Sequence, residues 1–512
     1  MPRFLLPGLA VLAFCFPCPL WSAPAPARPA TSPNLLVILC DGVGFSDPGC
    51  FGGEIQTPCL DWLAENGLRF SQAYSAGSPR ATGAAFLSGV FGGEVGSAGA
   101  SRRPAGGQWL PEMLKPAGYV SYHAGQWWLA ETPRQAGFDR SFRVDGARHF
   151  GPFRQVGDAG ESESAEGEYS SIVVADRVIE FLKEHGDLGG KNPFFACVAF
   201  PAPGGPLQAP RMDVEAYRGR YQGGTDGMRR ERLQRLQEQG VLTVGELPAP
   251  ALPARRWAEL SKSEQEAFET RMEVHAAMVA RVDREIGRIL DQVKAMKAWE
   301  NPVMVFLSGS GASAEKELGG AGNGESGVAG SVHSRLGLGP QGASLANTPF
   351  RDARGDVHEG GIATPLILHW PAGLRSRGEV REQVVHAVDL APTLLRLAGV
   401  APGKAGAGSG AVLDGQDLSG LIRENKAQGS RALWWQGAGG RAFRLGDWKW
   451  LALKDRPAEL YYLRTDRAEM LDVAAVNRER VQEMESQWKR MAQRVAPERV
   501  GEVAERRLSA LR

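Results

Sequence analysis

The chain has 512 residues, 43% of them hydrophobic and 23% charged, a composition that can bury a large core and excludes wholesale disorder. Lys plus Arg total 59 against 58 for Asp plus Glu, and a net charge of +1 excludes the basic excess of a nucleic-acid binder. The 65 glycines exceed the usual share of roughly 7% and mark a loop-rich chain, without the Gly-X-Y period of collagen.

Phe4 to Trp21, following Arg3, form the one long apolar run, broken by Pro7, Pro17 and Pro19 and followed by Ser22, Ala23, Ala25 and Ala27. This pattern predicts an export signal over residues 1–25, cut after Ala23 or Ala25. Three prolines disfavour a spanning helix, and Phe14 before Cys15 does not fit a lipoprotein signal. No later segment is apolar enough to cross a bilayer. The expectation is an exported soluble protein, periplasmic or extracellular. Cys40, Cys50, Cys59 and Cys197 then remain, as one disulfide (Cys50 with Cys59) or as buried thiols.

Asn34–Cys40 (NLLVILC) is a short continuous apolar run beside a Gly-bearing turn, which predicts a buried, parallel strand. A helix follows from Thr57 as N-cap to Gly67. Further strands are expected at Tyr119–His123, Phe194–Phe200, Val303–Leu307 and Ile362–His369, with helices at Gln108–Leu114 and Tyr169–His185. The longest helix is expected from Ser263 to Trp299, with Val279, Val282, Ile286, Leu290 and Val293 on one stripe. Gly157–Glu168, with its acidic residues among Gly, Ser and Ala, reads as a solvated loop. Gly309–Asn347 reads as a long irregular loop directly after a strand, where α/β sheets bind ligands. A Gly/Ala tract follows Gly403. The tail predicts Trp-rich strands at Ala432–Trp435, Phe443–Leu453 and Glu459–Leu463, then a helix from Asn477 to Arg494. Alternating strands and helices define an α/β fold: a large mixed, mostly parallel sheet of roughly eight to ten strands flanked by helices over residues 31–425. A smaller C-terminal α+β domain, antiparallel sheet plus helix, is expected over 428–500.

From Asn34 to about Ala496 the sequence resembles the sulfatases of the alkaline-phosphatase superfamily, in their arylsulfatase-like branch. The landmarks are LLVILCDGVGFSDPGCFGG, TPCLDWLAENGLRFSQAY, AAFLSG, AGFDRSF, PLQAP, VFLSGSG, NTPFRDARGDVHEGGIATPLILHWP, VDLAPTLLRLAG and GDWKW. The resemblance implies an acidic cluster holding calcium, a Cys or Ser oxidised to formylglycine in a C/S-x-P-x-R motif, cations on the transferring group and a histidine acid.

Residue by residue, this chain departs from that pattern. Of the four metal-ligand positions, Asp41 alone keeps a carboxylate; the others are Gly42, Gly309 and Ser310. Counting back from AAFLSG places Pro79 at the nucleophile and Gly83 at the motif's arginine. A proline cannot become an aldehyde. The family's Gly-Lys-Trp-His reads Gly125-Gln126-Trp127-Trp128, and the histidine of its Ala-Pro-His reads Gly204. Arg354 stands at the family's lysine, as a sulfate-binding cation or as a loop ion pair with Asp352 or Asp356. Ser75, Ser78 and Thr82 read as turn and N-cap chemistry. His358 and Glu359 read as structural, and none of the 8 histidines has HxH or HExxH spacing. Trp127, Trp128, Trp434 and Trp435 read as packing residues or an aromatic binding surface.

The resemblance therefore implies an exported sulfatase-family protein that has lost sulfuric ester hydrolysis. It would need no cofactor and would bind sulfated or other glycans, or a protein partner. The alternatives are an active sulfuric ester hydrolase using Ser78, Arg80, Asp41 and Arg354, or a phosphoesterase, which in this superfamily also needs metals. The converging strand ends should leave a nearly neutral pocket, with Asp41 and Arg354 as its main ionisable groups, facing one another.

Overall fold

A computed structural model describes residues 32–92, 103, 107–145, 148–243, 256–318, 327–401, 413–437 and 439–495. The expected export signal, most of the Gly/Ala tract after Gly403 and part of the 309–347 loop lie outside them.

The continuous apolar run becomes the strand Asn34–Asp41, buried along nearly its whole length. It lies inside a ten-stranded sheet, between Pro302–Ser308 and Phe194–Pro203, and is parallel to both. Beyond Phe194–Pro203 come Val120–Gly125 and Arg140–Asp145; beyond Pro302–Ser308 come the antiparallel strand Leu366–His369, then Leu68–Phe70 and Glu379–Arg381. Side chains alternate across a strand, so both faces of the first strand need cover. Leu36, Ile38 and Cys40 pack under the helices Pro58–Glu65, Ser170–Asp187 and Lys262–Ala295. Leu35, Val37 and Leu39 face Pro79–Ser88, Leu110–Leu114 and Leu390–Leu397. The sheet is thus a layer between two helical layers.

The long helix starts with a capping box: Glu264 N donates to Ser261 Oγ at 3.3 Å, and Ser261 N donates to Glu264 Oε2 at 2.8 Å. It ends at Ala295, short of Trp299, and Lys297 turns the chain at φ 57°. Thr57 stands at the N-cap of Pro58–Glu65, but its hydroxyl is engaged with Gly49 N and Asp61. Asp283 of the long helix instead accepts from Cys59 N at 3.1 Å and Leu60 N at 2.8 Å.

Several expectations are corrected. Residues 157–168 are not simply a loop: Arg154–Gly157 and Gly160–Glu163 form a hairpin at the sheet edge. Backbone pairing rather than apolar burial makes it, so no alternation announces it. Ile362–His369 becomes strand only from Leu366, because Glu359–Ile362 is a helical turn. Phe443–Leu453 splits into two strands around Gly446, at φ 60°. Gly339–Ala346 is a helix inside the expected loop, and Gly224–Glu238 is a helix that the sequence reading does not contain. Cys40, Cys50, Cys59 and Cys197 are free, buried thiols, which removes the Cys50–Cys59 disulfide.

Four antiparallel strands from Ala432 to Tyr462 and the helix Arg478–Val495 make the C-terminal layer, with Trp434 stacked on Trp488 at 5.8 Å. Buried charge ties it to the helical turn Glu359–Ile362 and to Tyr74. Lys449 Nζ reaches Glu359 and Glu469 at 2.8 Å each, and Tyr74 donates to Glu359 at 2.7 Å. Among the described residues no helix is long and apolar enough to cross a membrane.

Candidate functional site

Parallel pairing sets Cys40 opposite Ser308, so the chain leaves both strands side by side, and Gly309 N donates to Cys40 O at 2.8 Å. Asp41, Gly42, Gly309 and Ser310 thereby meet at one sheet end. Arg354 Nη1 donates to Asp41 Oδ1 at 2.8 Å. Arg354 therefore pairs across the fold with Asp41, rather than with the neighbouring Asp352 or Asp356. Asp352 faces His358 instead, with its Oδ2 at 2.6 Å from Nδ1.

Ser78 and Pro79 sit at the N-terminus of a helix. Ser78 is the N-cap, its Oγ accepting from Ala81 N at 3.2 Å, and Pro79 fills the first turn where no N–H is needed. Pro79 packs on Gly309: a Cβ there would stand 2.5 Å from Pro79 Cα. Thr82 Oγ1 donates to Gly309 O at 2.7 Å, and Ser310 Oγ donates to Gly311 O at 3.0 Å. One turn into the helix, a Cβ on Gly83 would meet Trp128 Cε3 at 2.4 Å, and one on Gly204 would meet Asp41 Cγ at 2.9 Å. Neighbours fill the space that a side chain at these positions would need.

What stays open is a cleft of about 210 Å³, lined among others by Asp41, Arg354, Gln126, Arg148, His275 and Glu315. Ser78 and Arg80 do not line it, so the structure does not gather the constellation Ser78, Arg80, Asp41 and Arg354. Arg148, His149, His275, Ser313 and Glu315 are among the lining residues that sequence reasoning missed. His275 lies on the stripe of the long helix between Met272 and Val279, where it reads as core. Its Nε2 donates to Asp47 Oδ2 at 2.8 Å, and Arg232 binds Asp47 at 3.0 Å and Glu54 at 2.7 Å. Burial would raise the Asp47 carboxyl, but His275 and Arg232 reverse this and hold it at about 2. His149 donates from Nε2 to Gly204 O at 2.7 Å, and burial lowers it to about 4, so it is neutral. Gln126 Oε1 and His275 Nδ1 are buried without a hydrogen-bond partner among the described residues.

His358 and Glu359 lie away from the cleft, at the junction with the C-terminal sheet. Burial works against the charge on His358, but Glu469, Asp352 and Glu459 outweigh it and push the imidazole up to about 9. Trp127 and Trp128 pack in the second helical layer, with Pro79–Ser88 and Leu110–Leu114, and Trp435 donates to Ser75 O at 2.9 Å. Among the described residues no group of three or more His, Cys, Asp or Glu is placed to hold a metal ion.

The family model for sulfatases matches residues 33–400. The chain is 30% identical to an uncharacterized sulfatase of Schizosaccharomyces pombe, over 89% of this chain and 92% of that protein. It is 29% identical to an arylsulfatase of Klebsiella aerogenes, over 73% and 88%. The solved structure of Ps i-CgsB with k-i-k-neocarrahexaose aligns with a TM-score of 0.67 at 21% identity, over 90% of this chain and 93% of that one. A second, in complex with D-glucosamine-2-N,6-O-disulfate, aligns at 0.65 and 18%, over 90% and 98%. The chain belongs to the sulfatase family, within the alkaline-phosphatase superfamily.

Proposed function

We propose that this sulfatase-family chain does not hydrolyse sulfuric esters, and that it is an exported protein using the inherited cleft to bind a saccharide. The loss rests on Pro79, which motif spacing puts at the nucleophile's position: its side chain carries no heteroatom, and its ring packs against Gly309. A nucleophile is the group no neighbouring donor replaces. Gln126 and Trp128 stand where the resemblance puts a cation and a proton donor; losing one such charge-stabilising group typically costs about 10²–10³ in rate.

The calcium that the family implies does not fit the residues present. Calcium takes about 6–8 oxygens, and of the four positions only Asp41 offers a carboxylate, already engaged by Arg354. The guanidinium acts as a tethered cation, neutralising Asp41 without an ion. Ligand binding is supported by the open cleft, by Gln126 Oε1 and His275 Nδ1 left unsatisfied beside it, and by the fold-mate bound to an amino-sugar sulfate. The signal-like segment 1–25 motivates export.

The deciding assay uses purified full chain with aryl sulfate and aryl phosphate esters, supplying calcium, magnesium and manganese in turn. The expected result is background rate for wild type, Asp41→Asn and Arg354→Gln alike. Metal-dependent turnover abolished by either substitution would restore the hydrolase reading.

A further inference from the structure

Leu338 forms a wall of the cleft, and its other side lines a second pocket of about 210 Å³. The two spaces are built differently. The second has an apolar lining from Leu260, Phe268, Leu338 and Pro340, and two cations, Arg271 and Lys316. Gly339 lets those cations converge. It holds φ at 77°, and the Cβ it lacks would stand 2.9 Å from Arg271 Nη1 and 3.8 Å from Lys316 Cγ.

Arg271 is half-buried, yet no described carboxylate forms an ion pair with it. Burial holds its guanidinium below the ordinary value, and the more distant Glu317 offsets this only in part. Glu264 at the pocket edge is engaged elsewhere, its Oε2 accepting from Ser261 N at 2.8 Å and Ser261 Oγ at 2.9 Å. Half-buried guanidinium groups are ordinarily matched by a planar oxyanion, which they grip through two parallel N–H groups. Here the match is missing from the protein, and a second cation stands beside the first.

We propose that this pocket binds an oxyanion, carboxylate or sulfate, carried on a single ring. The ring lies on Phe268 and Leu338, and Arg271 and Lys316 hold the oxyanion. The volume is below the roughly 300 Å³ at which pockets admit drug-sized ligands, which limits the occupant to one ring. The site does not depend on the chemistry of the main cleft.

The test is calorimetric titration of the full chain at low salt with benzoate, phenyl sulfate and uncharged benzyl alcohol. Binding of either anion, well above that of benzyl alcohol and weakened by salt, supports the site; the tighter anion names its oxyanion. Arg271→Gln should lower that affinity at least about tenfold, with Arg271→Lys between the two. Lys316→Gln, at an exposed position, should lower it about threefold. Arg354→Gln should leave it unchanged. The proposal is overturned if neither anion binds at about 10 mM, or if benzyl alcohol binds equally well. It is also overturned if binding survives both Arg271→Gln and Lys316→Gln, or disappears in Arg354→Gln.

Discussion

Asp41 and Arg354, 313 residues apart in sequence, meet through one hydrogen bond of 2.8 Å at the end of the central strand. The pair leaves the sheet end close to neutral, and no cluster of like-charged carboxylates remains there to repel itself.

Calcium should therefore leave the melting temperature unchanged. A site filled at a hundredfold excess over its dissociation constant would add about 2.7 kcal/mol, a shift of several degrees. A thermal scan with millimolar calcium, on wild type and Asp41→Ala, checks this; a shift lost in the variant would place an ion at Asp41.

Gly83→Ala should destabilise, although alanine is the better helix former by about 1 kcal/mol. The added methyl would meet Trp128 Cε3 at 2.4 Å, and overpacking of that kind costs about 1–3 kcal/mol. Urea unfolding of Gly83→Ala, Trp128→Ala and the double variant should show coupling, the methyl costing less once the ring is gone. Additive effects would mean that the indole is not the obstacle.

Lys449→Met should cost about 3–5 kcal/mol, since it leaves Glu359 and Glu469 buried without their shared counter-charge. Adding Glu469→Gln should recover part of the loss. Denaturant midpoints of the single and double variants decide it.

His358 predicts the alkaline limb of stability. Its folded value, about 9, lies above the ordinary 6.5, so the native state holds the proton more tightly than the unfolded chain. Its contribution, ~3 kcal/mol, is fully present below about pH 6.5 and is lost as pH rises through 9. Urea midpoints between pH 6.5 and 9.5 should fall for wild type and stay flatter for His358→Gln.

The central strand was legible because six apolar residues in a row, Leu35 to Cys40, read as a strand buried on both faces. The hairpin Arg154–Glu163 was not, since its side chains are largely exposed and carry no pattern. Gly224–Glu238 was hidden for the opposite reason: Arg229 and Arg232 are buried there, where sequence reasoning places surface. At the site, the substituted positions could be counted from motif spacing. The partner of Arg354 was legible only as a choice: neighbouring Asp352 or Asp356 by spacing, or Asp41 across the cleft, and the structure takes Asp41, with Asp352 engaged by His358.

The glycines at 83, 204 and 309 set an order for rebuilding side chains at this sheet end. A Cβ at 83 would meet Trp128 Cε3 at 2.4 Å, one at 204 Asp41 Cγ at 2.9 Å, and one at 309 Pro79 Cα at 2.5 Å. A larger residue at 83 therefore needs a smaller one at 128 first, and a larger one at 309 needs room made at 79. Made singly, such replacements would strain the fold before they added a functional group.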